Sequence, residues 1–483
     1  MALKKTVRWL VAGGGGLLLL MGEAGANGIT VTNIGMTGKN EDLKIANVVF
    51  DLSWNNSFRN ADNWDAAWVF VKFRAPGSNN WQHATLSTNS ADHKATGGST
   101  IKTVPDGKGV FIYNSASITG TVSYPLTKLQ WNYGSNGYTF TKGDLIEVSV
   151  HAIEMVYIPE CAFMLGSGGS EAGHFYQYPD TNQPYLMVSE TNAIPVGTTN
   201  GWLYYDNYGD KTGVISNAFP KGYAAFYCMK YEVSQGQYAD FLNKLTAAQT
   251  TARFTSSSSY RYTISKDTTN YYSASAPDRA CSMLGWADGI AYADWAALRP
   301  MTELEFEKAC RGPANPVPNE YAWGTTSITN LAAEAGTPGS GTETVSTAGA
   351  NCNSANGGVG GPTRVGLFAA TNASRLNVSR QLSGAGYYGV MELSGNLWER
   401  VVTVGNATGR AFRGSLGDGV LGPTGAATGN TDWPTGTGSG MRGGNWSWEG
   451  PVTYARISDR TYALTVLDGD AHYSLGRAVR QAP

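Results

Sequence analysis

Charge is scarce in this chain of 483 residues: Asp, Glu, Lys and Arg make up 15% of it, with a formal net charge of −2. No long basic run occurs beyond the N-terminus, which argues against electrostatic capture of nucleic acid. Cysteine is also sparse. Cys161, Cys228, Cys281, Cys310 and Cys352 are widely scattered and form no CxxC pair, so knottin-like and zinc-ribbon folds are excluded. In an exported chain one or two disulfides with a leftover thiol stay open, beside the alternative of small buried hydrophobes. Histidine is limited to His83, His93, His151, His174 and His472, with no His-x-x-x-His pair. Gly-x-Ser-x-Gly, phosphate-loop and HExxH motifs are missing, which removes the commonest nucleophile, phosphate and zinc chemistries. No apolar run after residue 21 is long enough to span a bilayer.

What is abundant is glycine, at 61 residues, and aromatic side chains, at 11%. The first points to loops rather than helical bundles; the second suits both cores and ligand surfaces. The length suggests two or three domains. Lys4, Lys5 and Arg8 precede an uncharged apolar stretch, residues 9–21, and Ala24-Gly25-Ala26 supplies a small-x-small site. This predicts a signal peptide over residues 1–26, cleaved after Ala26. The alternative, an uncleaved anchor, is disfavoured by Gly13 to Gly16 and by the short apolar length. The mature chain is thus expected in the periplasm, at the cell surface or outside the cell, with no transmembrane anchor.

Residues 28–152 read as β structure. In Ala67 to Arg74, Val69, Val71 and Phe73 fall on one face, and Trp68, Phe70, Lys72 and Arg74 on the other. Ile146, Val148, Val150 and Ala152 repeat that alternation, and Gly, Asn and Ser clusters separate the runs. An antiparallel β-sandwich is the expected fold, as a spacer or docking module. A Tyr-, Asn- and Gly-rich stretch at about 168–220 reads as an insertion with some strand content. Three helices follow. Ser234 to Gln237 is a capping box ahead of Tyr238, Phe241, Leu242 and Leu245. A second helix follows Asp288, with Ala291, Tyr292 and Trp295 inward. The third starts at Thr302 with a further capping box, which makes Glu303 and Glu305 a capping and ion-pairing group.

Several ordered blocks resemble the formylglycine-generating (sulfatase-modifying factor) family. They begin at Met155 to Pro159 and continue through Lys230-Tyr231-Glu232-Val233-Ser234 and Trp286-Ala287-Asp288. Leu298 to Glu307 with Arg311-Gly312, then Tyr321-Ala322-Trp323-Gly324, come next. Tyr387 to Arg400, containing Gly395-Asn396-Leu397-Trp398-Glu399, and Arg442-Gly443-Gly444-Asn445-Trp446 complete the series. The resemblance implies an α+β chain in which the sandwich precedes a loop-rich, C-type-lectin-like domain over residues 153–483.

The resemblance also implies where metals would sit. Formylglycine generators hold copper through two cysteine thiolates shortly after the Arg-Gly-Gly block, soft ligands suited to Cu(I). Here residues 445–454 contain no cysteine, and none follows Cys352. The related sulfoxide synthases hold iron in a histidine triad, which five scattered histidines do not supply. Calcium remains open. Asn396, the Leu397 carbonyl and Glu399 stand where the family places hard oxygen ligands; alternatively, they only tie loops together. Arg442, Trp446, Trp448 and Arg456 are candidates for a ligand-facing surface; the alternative places Trp446 in the core and pairs Arg456 and Arg460 with Asp459 or Glu399. The expected function is an exported, non-catalytic binding or structural protein facing a glycan, peptide or surface protein. The alternative is a copper or iron oxidase with rearranged ligands, for instance at Cys310 or Cys352.

Overall fold

The computed structural model describes residues 28–141, 143–354, 358–372, 380–447, 450–466 and 476–483, with the backbone of residues 6–10. The expected signal-peptide cleavage site lies outside the described residues. Strands β1 (Thr6–Leu10), β2 (Thr30–Asn40), β3 (Ile45–Arg59), β4 (Asp65–Arg74) and β5 (Gln82–His83) come first. They are followed by β6 (Ser99–Thr103), β7 (Val110–Asn114), β8 (Ile118–Trp131) and β9 (Leu145–Ile158). β2, β3 and β8 form one antiparallel sheet. It faces a second sheet containing β4, β6, β7 and β9 across a common core. Val48, Phe50 and Trp54 of β3 and Trp131 of β8 meet Val69, Val71 and Phe73 of β4 there. The alternation in β4 thus forms the inward face expected from the sequence.

The other face of β4 is buried as well. Trp68 and Phe70 join a core with Tyr227, Tyr238, Phe241 and Trp295. The Trp68 indole N–H donates to the Ala296 carbonyl at 2.8 Å, and Phe111 stacks on Tyr227 with ring centres 3.8 Å apart. Lys72 is 1% exposed and donates to the Trp295 and Gly419 carbonyls at 2.7 and 2.8 Å. Aromatic burial on both sides of one strand gives these sheets an apolar contact area that a loosely tethered spacer would lack.

β9 runs through the expected boundary at residues 152–153. β4 pairs along it from Glu147 to Val156, and β16 (Phe226–Met229) pairs with its last residues. β10 (Phe163–Leu165) pairs with β12 (Tyr185–Met187), and β11 (Tyr176–Gln177), β13 (Ile194–Val196), β14 (Leu203–Tyr204) and β15 (Gly213–Ile215) form a small sheet. The stretch read as an insertion therefore carries strands. Further along come β17 (Ile264–Lys266), β18 (Tyr272–Ala274), β19 (Arg299–Thr302), β20 (Glu334–Ala335) and β21 (Thr344–Val345). The last are β22 (Glu399–Val402), β23 (Ser439–Arg442) and β24 (Ala478–Gln481). The long sheet has the order β23-β22-β19-β24-β16-β9-β4-β7-β6.

Helices are few and short: α1 (Gln235–Leu242), α2 (Ala247–Arg253), α3 (Trp286–Trp295) and α4 (Glu303–Arg311), then α5 (Leu367–Asn372), α6 (Arg380–Ser383) and α7 (Ala407–Arg410). Strands dominate, and the chain is α+β. α1 and α4 carry the capping boxes read from the sequence, at Ser234 and Thr302. α2 has one too, Thr246 with Gln249, but its Ala- and Thr-rich sequence shows no apolar period. Among the described residues no helix is long and apolar enough to cross a membrane. All five cysteines are free thiols; Cys161 is half-buried and the others are buried.

Candidate functional site

α4 positions the centre of the C-terminal part. All nine of its residues are buried, including Glu303, Glu305, Glu307, Lys308 and Arg311. Charges survive there because each carboxylate meets a guanidinium. Arg299 donates to Glu305 at 2.5 and 2.8 Å. Arg442, on β23, donates to Glu303 at 3.0 Å and to Glu307 at 2.7 Å. Arg460 donates to Glu303 at 2.8 Å and lies between the rings of Phe175 and Tyr205. Arg311 bridges Glu307 and Glu320. Burial alone would raise the Glu303 and Glu307 carboxyls; the arginines override it and hold both below the usual range.

This geometry corrects the expectation for Arg442. At 0% exposure, with both terminal nitrogens paired, it faces carboxylates and no surface. Gly443, at φ +87°, explains the residue after it: a Cβ there would sit 2.5 Å from the Leu393 carbonyl oxygen. Trp446 is likewise buried, packed with Tyr231, Val365 and Leu397. Arg456 is half-buried and donates to Asn319 at 2.9 Å; Trp448 lies outside the described residues.

The Gly395 to Glu399 segment splits into two networks. The Asn396 side-chain oxygen accepts from the Thr363 N–H at 2.9 Å, and its amide nitrogen donates to Glu232. The Leu397 N–H donates to the same Glu232 carboxylate at 2.8 Å. Glu399 instead accepts from the Arg477 guanidinium at 2.7 Å. Calcium requires about six to eight oxygen ligands. Here the Asn396 oxygen is filled by a backbone N–H and the Glu399 charge is met by a guanidinium, so the donor set as arranged does not fit the ion. Glu232 and Arg477 were not among the residues expected at this site, although Glu232 lies inside a block quoted for the resemblance.

Glu392 adds a third buried acid. One oxygen accepts from the Gly366 N–H at 2.9 Å, while the other has no hydrogen-bond partner. Burial pushes this carboxyl up to about 7 against the opposing pull of Gly366 and Arg477. The sign follows directly. Unfolding releases a proton between the ordinary carboxylate range and about pH 7, so stability should fall with rising pH across that window. The slope is at most about 1.4 kcal/mol per pH unit and levels above it. Glu392→Gln should flatten that slope in urea midpoints measured from about pH 5 to pH 8. An unchanged slope would assign the pH dependence to other groups.

The described thiols and imidazoles do not converge. Among the described residues no group of three or more His, Cys, Asp or Glu is placed to hold a metal. Cys310 and Cys352 are fully buried, and burial pushes both thiols well up, which disfavours the thiolate a metal would need. His83 and His151 stack on Phe70. His93 bonds the Ser87 carbonyl, and His174 bonds those of Glu171 and Thr181. His472 lies outside the described residues.

Residues 196–464 match the family model of the sulfatase-modifying factor enzyme 1-like domain. β9 and β24, strands of the same long sheet, lie outside the matched span. No curated protein matches the chain.

Proposed function

Because the chain belongs to the sulfatase-modifying factor enzyme 1-like family, we propose that it is an exported, non-catalytic binding or structural protein built on that family's scaffold. In this reading the N-terminal strands form an antiparallel β-sandwich, and the remainder is a C-type-lectin-like domain that presents loops to a glycan, peptide or surface partner. The observation that carries the proposal is the chemistry after Arg442-Gly443-Gly444. Residues 445–454 hold no thiol, while Cys310 and Cys352, the thiols named above as an instance of a rearranged site, are sealed in the core. A copper or iron oxidase would need thiolates or imidazoles that converge and reach substrate. Export rests on Lys4, Lys5 and Arg8 ahead of residues 9–21 and Ala24-Gly25-Ala26. Metal analysis of the purified chain tests the reading. Copper and iron should fall far below one atom per chain, and one atom of either per chain would count against it.

Asn396, Leu397 and Glu399 are assigned the loop-tying role. Glu232 and Arg477 supply the charge balance there, so the fold should not depend on calcium. EDTA is expected to leave the melting temperature unchanged, and added Ca²⁺ should not raise it. A calcium-dependent rise would show that an ion binds the folded state and would reopen the calcium reading.

A further inference from the structure

Away from the buried α4 charge centre, a cleft of about 960 Å³ lies between α1, α2 and the β17–β18 hairpin. That volume is at the upper end of the range of about 300–1,000 Å³ typical of small-molecule sites. Its floor is apolar. Leu242 and Tyr272 are 1% and 6% exposed, and Phe254 meets Tyr272 edge-on with ring centres 4.9 Å apart. Its walls are neutral and polar: Thr250 and Thr251 come from α2, and Thr269, Asn270, Tyr271 and Ser273 come from the hairpin. Lys266 and Asp267 add one charge of each sign, and no histidine or cysteine lines the cleft.

The cleft is preformed. The Asn243 side chain accepts from the Tyr272 N–H and donates to the Tyr272 carbonyl, both at 2.8 Å, which pins the hairpin to the end of α1. Asp267 fixes the hairpin turn by accepting from the N–H groups of Thr269 and Tyr271 at 2.7 and 2.9 Å. A ligand entering it therefore need not order these walls first.

We infer that this cleft is the ligand site and that its ligand is a neutral saccharide. The inference rests on the binding-protein reading above and names the site and the ligand class for it. A sugar ring presents an apolar C–H face and a rim of hydroxyls, which matches the part-exposed Phe254 and Tyr271 rings bordered by hydroxyl and amide groups. The balanced charge gives no purchase for a phosphate or a polycation. The lining holds no activated nucleophile, so it binds without transforming.

Titration calorimetry of the full chain with cellohexaose, maltohexaose, laminarihexaose and chitohexaose tests this. At least one should bind with a submillimolar Kd. Thr251→Trp, at an exposed position on α2, fills the cleft and should weaken that binding by roughly tenfold or more with the melting temperature retained. Tyr271→Ala should weaken it as well. Equal binding by wild type and both variants would overturn the cleft assignment while leaving a saccharide-binding protein. Binding of none of the four, with a peptide or protein captured instead, would overturn the ligand class. Stoichiometric copper with thiol-dependent O₂ uptake would overturn the binding-protein reading itself, a separate result from either.

Discussion

Arg442→Ala should lower stability by about 3–5 kcal/mol, the usual cost of removing one partner from a buried charge network. The guanidinium spans Glu303 and Glu307 on α4 and also donates to the Ile457 carbonyl at 2.7 Å. All three side chains are fully buried. Arg460 and Arg311 would still touch the two glutamates, but each carboxylate would keep one guanidinium in place of two, with an empty space over Phe306, which Arg442 now covers at 5.2 Å. Arg442→Lys keeps the charge and loses the paired geometry, so it should fall between wild type and alanine. Urea midpoints check the order. A chain whose midpoint does not move with alanine at 442, and which loses only ligand binding, would restore the surface role expected from the sequence.

Lys230→Met should be of similar size, about 3–5 kcal/mol, and should weaken the attachment of the N-terminal sheets. The ammonium donates to Asp65 on β4 at 3.0 Å, to Glu154 on β9 at 2.6 Å and to the Asn56 carbonyl at 3.1 Å. Burial pushes the Glu154 carboxyl up to about 8 despite Lys230 beside it. Burial also opposes the Lys230 charge, but Glu154 and its neighbours hold that amine well above its usual range. Two acids and a carbonyl surround the amine, which keeps Lys230 charged in spite of its burial. Removing the amine leaves both acids enclosed without a cation. The double variant Lys230→Met with Glu154→Gln should recover part of the loss, since one of the two buried acids left without a partner goes with it. Wild type should unfold in a single transition, because β9 belongs to both halves of the long sheet. Two separated transitions in wild type would show that the halves are independent.

The local features were readable in the sequence. Capping boxes at Ser234 and Thr302 involve residues three apart, and the alternation in β4 is a property of eight consecutive residues. What the polar-looking face of β4 would meet was not readable, because Trp68 and Lys72 find their partners at Ala296 and Trp295, more than 200 positions away. The same distance problem hid the site. Arg442 looked available for a ligand because its glutamates lie well over 100 residues upstream. Glu399 looked like a calcium ligand because its partner, Arg477, follows it by 78 positions. Arg477 delivers the guanidinium that neutralises Glu399.

The most direct measurement is O₂ uptake by the purified chain, preloaded with Cu(I), in the presence of a cysteine-containing peptide. No uptake above a control of free copper with the same peptide is expected, since residues 445–454 offer no thiolate and Cys310 and Cys352 are sealed in the core, where burial pushes both thiols up. Sustained uptake with loss of the peptide thiol, abolished by Cys310→Ser or Cys352→Ser, would contradict the non-catalytic assignment.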